Sequence, residues 1–120
     1  MIETSVAAVK DAQETLCELI TQDDTLRCIR CGLCSFSCPT YRVELCESAA
    51  PRGRIALLRA VAEDKLDPSE LFARKFFDCV LCAACTAACP SGMEVDKLLL
   101  QARHGLHDAG AAHQAVPAAP

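Results

Sequence analysis

Eight of the ten cysteines in this chain fall into two runs of identical spacing. The first is Cys28, Cys31, Cys34 and Cys38 in "CIRCGLCSFSCPTY", and the second is Cys79, Cys82, Cys85 and Cys89 in "CVLCAACTAACPSG". They are displaced by 51 positions, and proline follows each fourth cysteine. C-x2-C-x2-C-x3-C-P is the bacterial iron-sulfur spacing, in which the fourth cysteine ligates the cluster of the other run. Three thiolates two residues apart can wrap one cubane. A residue before proline is pushed toward extended backbone, so Cys38 and Cys89 are expected to leave their own loops. On this reading one 4Fe-4S cluster takes Cys28, Cys31, Cys34 and Cys89, and a second takes Cys79, Cys82, Cys85 and Cys38. Loss of either would loosen the whole fold, because metal-binding energy is also folding energy.

Two other uses of cysteine fit less well. Structural zinc modules pair C-x2-C units across a longer gap. A disulfide scaffold belongs to secreted chains, and "MIETSVAAVKDAQETLCELI" has no basic start, continuous apolar stretch or cleavage site. A cytoplasmic protein is expected, held at the inner membrane only through partners, since no run of 18 apolar residues suggests a transmembrane segment. Small residues inside the runs, Gly32, Ala83, Ala84, Ala87 and Ala88, would let backbone N–H groups approach sulfur. Ser35, Ser37 and Thr86 are candidate further donors, and such donors tune potential.

An oxidised cubane with four thiolates carries a net charge of about -2, which asks for nearby cations or N–H dipoles. The formal charge of the chain is -4, but it is unevenly spread. Residues 1–24 hold six acids and one lysine, whereas Arg27, Arg30, Arg42, Arg52, Arg54 and Arg59 face only Glu44 and Glu47. Arg52 and Arg54 are the leading candidates for compensating charge. No Lys/Arg run resembles a nucleic-acid footprint, so no nucleic acid is expected as a partner. Cys17 is expected as a buried apolar residue, Cys46 has no assigned role, and His104, His107 and His113 none. No nucleophile–base pair, phosphate loop or dinucleotide fingerprint appears, so no catalytic residue is assigned.

The elements that must position these cysteines read as all-α. Val6, Val9, Ala12, Leu16 and Ile20 fall at helical spacing in an acidic segment, with Asp23, Asp24 and Thr25 marking its exit. Pro51 is expected to open a helix that buries Ile55, Leu58 and Ala62. Asp67-Pro68 signals a short helix lined by Leu71, Phe72, Phe76 and Phe77. Ser91 would cap a last helix with Val95, Leu98, Leu99, Ala102 and Leu106 as its buried stripe. The organisation is thus an N-terminal amphipathic helix over 1–24, an α-helical ferredoxin domain over 25–108 and a flexible tail over 109–120. The compact βαβ ferredoxin is disfavoured, because residues 39–78 show helical spacing and not period-two alternation.

Over roughly residues 25–105, about two thirds of the chain, the sequence resembles the N-terminal cluster domain of the glycolate oxidase iron-sulfur subunit family. Related domains occur in lactate-utilisation, anaerobic glycerol-3-phosphate dehydrogenase and heterodisulfide reductase iron-sulfur subunits. C-G-x-C in the first run, C-P-T-Y at 38–41, P-R-G-R-I at 51–55 and C-P-S-G at 89–92 carry the match. P-R-G-R-I is the more discriminating part, since many ferredoxins share the cysteine runs. The resemblance implies an α-helical ferredoxin with two 4Fe-4S clusters, acting as an electron-transfer subunit. Its expected partners are an FAD-linked oxidase or dehydrogenase of a 2-hydroxy acid and an acceptor protein or quinone-linked subunit, with FAD only in the partner. Larger family members continue into cysteine-rich C-terminal domains, so a small relay subunit is expected here. The alternatives are a relay in a heterodisulfide-reductase-like or other flavin-based complex, and a structural metal-binding interaction module.

Overall fold

The computed structural model describes residues 6–110, with side chains from Lys10 onward. Eight α-helices run in chain order among them: α1 (Val6–Leu19), α2 (Gln22–Leu26), α3 (Leu33–Ser37), α4 (Pro39–Glu44), α5 (Pro51–Ala62), α6 (Glu70–Phe77), α7 (Ala84–Ala88) and α8 (Val95–Asp108). A single 3-10 turn, Glu47–Ala49, precedes α5, and no strand occurs among the described residues.

The core is built by the stripes of four longer helices. α1 contributes Ala12 and Leu16, with Ile20 just beyond its end, and α5 contributes Ile55, Leu58 and Val61. α6 adds Phe72, Ala73 and Phe76, and α8 adds Leu98, Leu99, Ala102 and Leu106. Burying a side chain of this size is worth about 1.5–3 kcal/mol, so these stripes outweigh the weak intrinsic stability of short helices. α1 and α8 approach closely at Gly105, where a methyl group would stand 3.2 Å from both Leu16 and Leu19. Partly buried Cys28, Cys34, Cys79 and Cys89 pack against this core, and Cys85 belongs to it. The cysteine loops are therefore its continuation.

Several boundaries depart from expectation. Asp23, Asp24 and Thr25 do not mark the exit of α1, which ends at Leu19; they lie inside the separate helix α2. Thr21 caps α2 through a reciprocal box: its hydroxyl accepts from Asp24 N–H (3.3 Å) and the Asp24 carboxylate accepts from Thr21 N–H (2.9 Å). Ser69, not Asp67, caps α6 by accepting from Phe72 N–H at 3.2 Å. Leu71 points outward, at 64% exposure, because it lies beside the Phe72–Phe76 stripe. Ser91 does not cap α8, whose preceding residue is Glu94 with no side-chain bond. Ala62 is only half buried, and Val61 takes its place in the core. Cys17 is exposed, since the buried face of α1 passes through Ala12 and Leu16. The side chains of Val6 and Val9, and most of the expected tail with His113, lie outside the described residues.

Pro51 does open α5, where a missing N–H costs nothing. Two residues later Gly53 meets the 3-10 turn so closely that a methyl group would stand 1.7 Å from the Glu47 carbonyl oxygen. Backbone cannot yield as a side-chain tip can. Gly53→Ala is expected to cost about 3 kcal/mol or more of stability through overpacking, measured by anaerobic urea unfolding. Gly32→Ala meets only the flexible head of Arg52 at 2.7 Å and adds about 1–2 kcal/mol of left-handed strain at φ 80°, so it should cost less. Equal losses would contradict this reading of the contact.

Candidate metal centres

The two cysteine runs adopt one conformation. Arg30 and Leu81, each two residues after a first cysteine, have φ of 60° and 54°; Gly32 and Ala83, two further on, have φ of 80° and 64°. Left-handed backbone at alternate positions turns successive N–H groups toward one side and makes an anion-binding concavity. Leu81 N–H already donates to Cys79 Sγ at 3.4 Å. Gly32 and Ala83 then start the five-residue helices α3 and α7, which pack against each other. Each ends on a fourth cysteine in extended conformation: Cys38 at φ -81°, ψ 119° and Cys89 at φ -74°, ψ 116°. The 51-residue offset thus holds for backbone shape as well as for sequence.

Beyond the fourth cysteines the chain exchanges sides. One cavity, whose empty space of about 340 Å³ includes open solvent, is lined by Cys28, Cys31, Cys34 and Cys89. A second, of about 350 Å³ on the same measure, is lined by Cys79, Cys82, Cys85 and Cys38. All ten cysteines are unpaired thiols. Among the described residues no three His, Cys, Asp or Glu side chains converge tightly enough to hold a single metal ion. The two sets of four sulfurs instead surround volumes, a donor set that fits a polynuclear thiolate-ligated cluster. Cys31 and Cys82, the middle cysteines of each triad, are exposed, whereas Cys38 and Cys85 of the second cavity are buried.

P-R-G-R-I serves both cavities from the start of α5. Arg52 lines the first and Arg54 the second. Arg52 pairs with Glu47 through two bonds of 2.6 and 3.0 Å, and its Nη1 donates to the Arg30 carbonyl at 3.2 Å. Arg54 Nε donates to the Lys75 carbonyl at 2.6 Å, and its Nη1 to Thr40 Oγ1 at 3.2 Å. Thr40 in turn donates to the Ala49 carbonyl (2.8 Å) and lies 3.1 Å from Cys38 Sγ. Arg103 of α8 donates to the carbonyls of Phe76 (2.7 Å), Phe77 (3.0 Å) and Cys79. An arginine therefore holds a carbonyl of each cysteine loop.

The thiols differ in acidity. Burial raises the Cys38 pKa, but the Thr40 hydroxyl, the N–H groups of Tyr41 and Thr40, and the charge of Arg54 outweigh it, leaving the thiol below its ordinary value. Cys34 is raised, chiefly by burial. Burial, with neighbouring Cys79 and Cys34 adding, pushes Cys85 to about 11. Cys34 and Cys85 thus stand within electrostatic reach across the α3–α7 contact.

Some expected donors are engaged elsewhere. Thr86 hydrogen-bonds to Asp96, both to its carboxylate and from its N–H (3.1 Å), and not to sulfur. Ser37 donates to the Cys34 carbonyl at 3.1 Å, and the buried Ser35 hydroxyl has no partner. Arg27, Arg30 and Arg42 are exposed, and Arg59 pairs with Glu63 at 2.8 Å. Cys46 lies near Ser48 (3.4 Å) and Glu44 (3.7 Å), and does not line either cavity. Sequence reasoning missed Thr40, Asp96 and Arg103. For Arg103 a signal existed, because it stands 51 positions after Arg52.

A helical framework carrying two equivalent cysteine loops is that of a ferredoxin-type iron-sulfur protein. The chain belongs to the 4Fe-4S dicluster domain family, which matches residues 24–93. It is similar to a probable glycolate oxidase iron-sulfur subunit of Bacillus subtilis (strain 168), at 40% identity over 105 residues, covering 87% of this chain and 24% of that one. It also resembles the glycolate oxidase iron-sulfur subunit of Escherichia coli (strain K12), 39% identical over 79 residues, covering 64% of this chain and 19% of that one. An uncharacterized electron transport protein of the same organism, YkgF, is 33% identical over 91 residues, covering 72% and 18% respectively. The chain spans about a quarter or less of the length of these relatives. No solved structure matches it significantly.

Metal and sulfide capture at these sites would require thiolates, and so would displace the protons that Cys34 and Cys85 retain at neutral pH. The raised pKa of Cys85, about 11, fixes the sign. Iron uptake by the metal-free chain, at fixed limiting iron and sulfide under anaerobic conditions, should rise between about pH 7 and about pH 9. Iron per chain reports the outcome, and uptake that is flat or falls over that range contradicts it.

Proposed function

We propose that the chain is a two-centre electron relay, with one 4Fe-4S cluster held by Cys28, Cys31, Cys34 and Cys89 and the other by Cys79, Cys82, Cys85 and Cys38. The observation that carries this reading is the exchange of fourth cysteines between the two cavities. Such clusters, when bound, accept and release single electrons over a wide range of potentials. The chain's own residues hold them, exclude water and bias their charge. Left-handed loops present N–H groups, Arg103 and Arg52 fix loop carbonyls, and the core seals the inner side. The exposed middle cysteines, Cys31 and Cys82, are the points where electrons enter and leave.

The donor is an FAD-linked oxidase or dehydrogenase subunit that oxidises a 2-hydroxy acid, with glycolate the first candidate; the names of the relatives support this. The flavin belongs to that partner and completes the two-electron chemistry, while this chain passes electrons singly toward an acceptor protein or a quinone-linked subunit. No described helix is long and apolar enough to cross a membrane, and contact with a quinone pool is assigned to a partner subunit. Residues 25–108 act as the relay domain, with α1 bracing it.

Anaerobically purified protein should contain about eight irons and eight sulfides per chain and show paramagnetic signals from two centres after dithionite. Addition of the flavoprotein partner with its hydroxy acid should produce the same reduced signals. Failure of every hydroxy acid to do so would remove the assigned donor. Stoichiometric zinc without a reducible centre would overturn the relay itself.

A further inference from the structure

Arg54 is the only buried charged side chain among the described residues, at 1% exposure. Its Nε and Nη1 are bonded to the Lys75 carbonyl and Thr40 Oγ1, but its Nη2 has no partner. An unmatched charged donor inside a protein is costly, and Arg54 is among the residues that line the cavity of Cys38, Cys79, Cys82 and Cys85. Its counterpart at the first cavity differs. Arg52 is 35% exposed at its side chain, and its charge is offset by Glu47 at 2.6 Å. One carboxylate, Asp96, also lines the second cavity. It is already bonded to the Thr86 hydroxyl and sits in the first turn of α8, where the helix dipole favours it. Outside, Glu44 is held by Lys75 at 3.1 Å.

We propose that Arg54 is a positioning residue for the second centre: its free Nη2 donates a charge-assisted hydrogen bond to the sulfur shell there, making that centre the higher-potential, electron-collecting end of the pair. The inference rests on the iron-sulfur reading above. Reduction adds negative charge, and a buried cation with a free N–H stabilises the reduced form most where the local dielectric is low. The exposed, paired Arg52 gives the first centre much less. Electrons then pass from the first centre to the second across the α3–α7 contact.

Potentiometric titration of the loaded full chain, followed by EPR, tests this. Cys31→Ser and Cys82→Ser identify the signals of the first and second centres. In the wild type the second centre should reduce first. Arg54→Lys keeps the charge and the aliphatic stem but loses the fork. At fixed potential it should lower the reduced-to-oxidised ratio of the second centre about tenfold, a shift of about 59 mV for a one-electron couple. The first centre should stay unchanged, and Arg54→Gln should shift the second further. Potentials that do not move, or that move equally at both centres, overturn the proposal. Should both variants fail to take up iron, the wild type still decides. A second centre that reduces before the first supports the proposal, and one that reduces after it or together with it overturns the proposal. Wild-type protein without iron and sulfide would instead overturn the relay reading beneath it.

Discussion

Extended backbone at a cysteine that sits between a short helix and a proline is the constraint on which the rest of the arrangement depends. Proline forbids the helical conformation that would keep Cys38 or Cys89 beside its own triad, and both adopt ψ near 120° (119° and 116°). Each is thereby carried to the opposite cavity, Cys38 toward Cys85 and Cys89 toward Cys34. The packing of α3 on α7 places the two loops back to back. With the proposed ligand sets, a chain folded this way would not complete one centre without bringing in the other half, so ligand capture and tertiary closure would be one event.

That coupling explains why four modest helices suffice. A core made of α1, α5, α6 and α8 is small for a chain of this length, and its cysteine-bearing side is an integral part of it. α5 is the hinge of the design. Its proline fixes where it starts, Gly53 lets the preceding turn touch it, and Arg52 and Arg54 diverge to different cavities. The same five residues thus set both a packing contact and two electrostatic environments. Those environments are unequal, because Arg52 has Glu47 for a partner whereas Arg54 is buried with a donor to spare.

Much of this was legible in the residues. Cysteine spacing and the prolines after Cys38 and Cys89 foretold the extended backbone, and period-3.6 stripes foretold α5 and α8. Helix starts were less legible: Asp67 and Ser91 are chemically suitable caps, but Ser69 caps α6 and no side chain caps α8. Which of several polar residues caps a helix depends on where packing lets the first turn close. Cys17 was misjudged because a one-residue rotation from Leu16 separates core from solvent. α3, α4 and α7 are each six residues or fewer and too short to show a period. Asp96 and Arg103 act over separations that local pattern does not encode, although the 51-residue offset between Arg52 and Arg103 was available; Thr40 is only two residues from Cys38, but its hydroxyl carries no periodic signal.

The central claim is that each fourth cysteine serves the centre of the opposite run, and EPR of the reduced Cys89→Ser chain tests it most directly. Its spectrum should change at the centre that Cys31→Ser also changes, while the centre sensitive to Cys82→Ser keeps its wild-type signal. A Cys89→Ser change confined to the Cys82-sensitive centre would mean that each run closes on its own cluster, and would contradict the account.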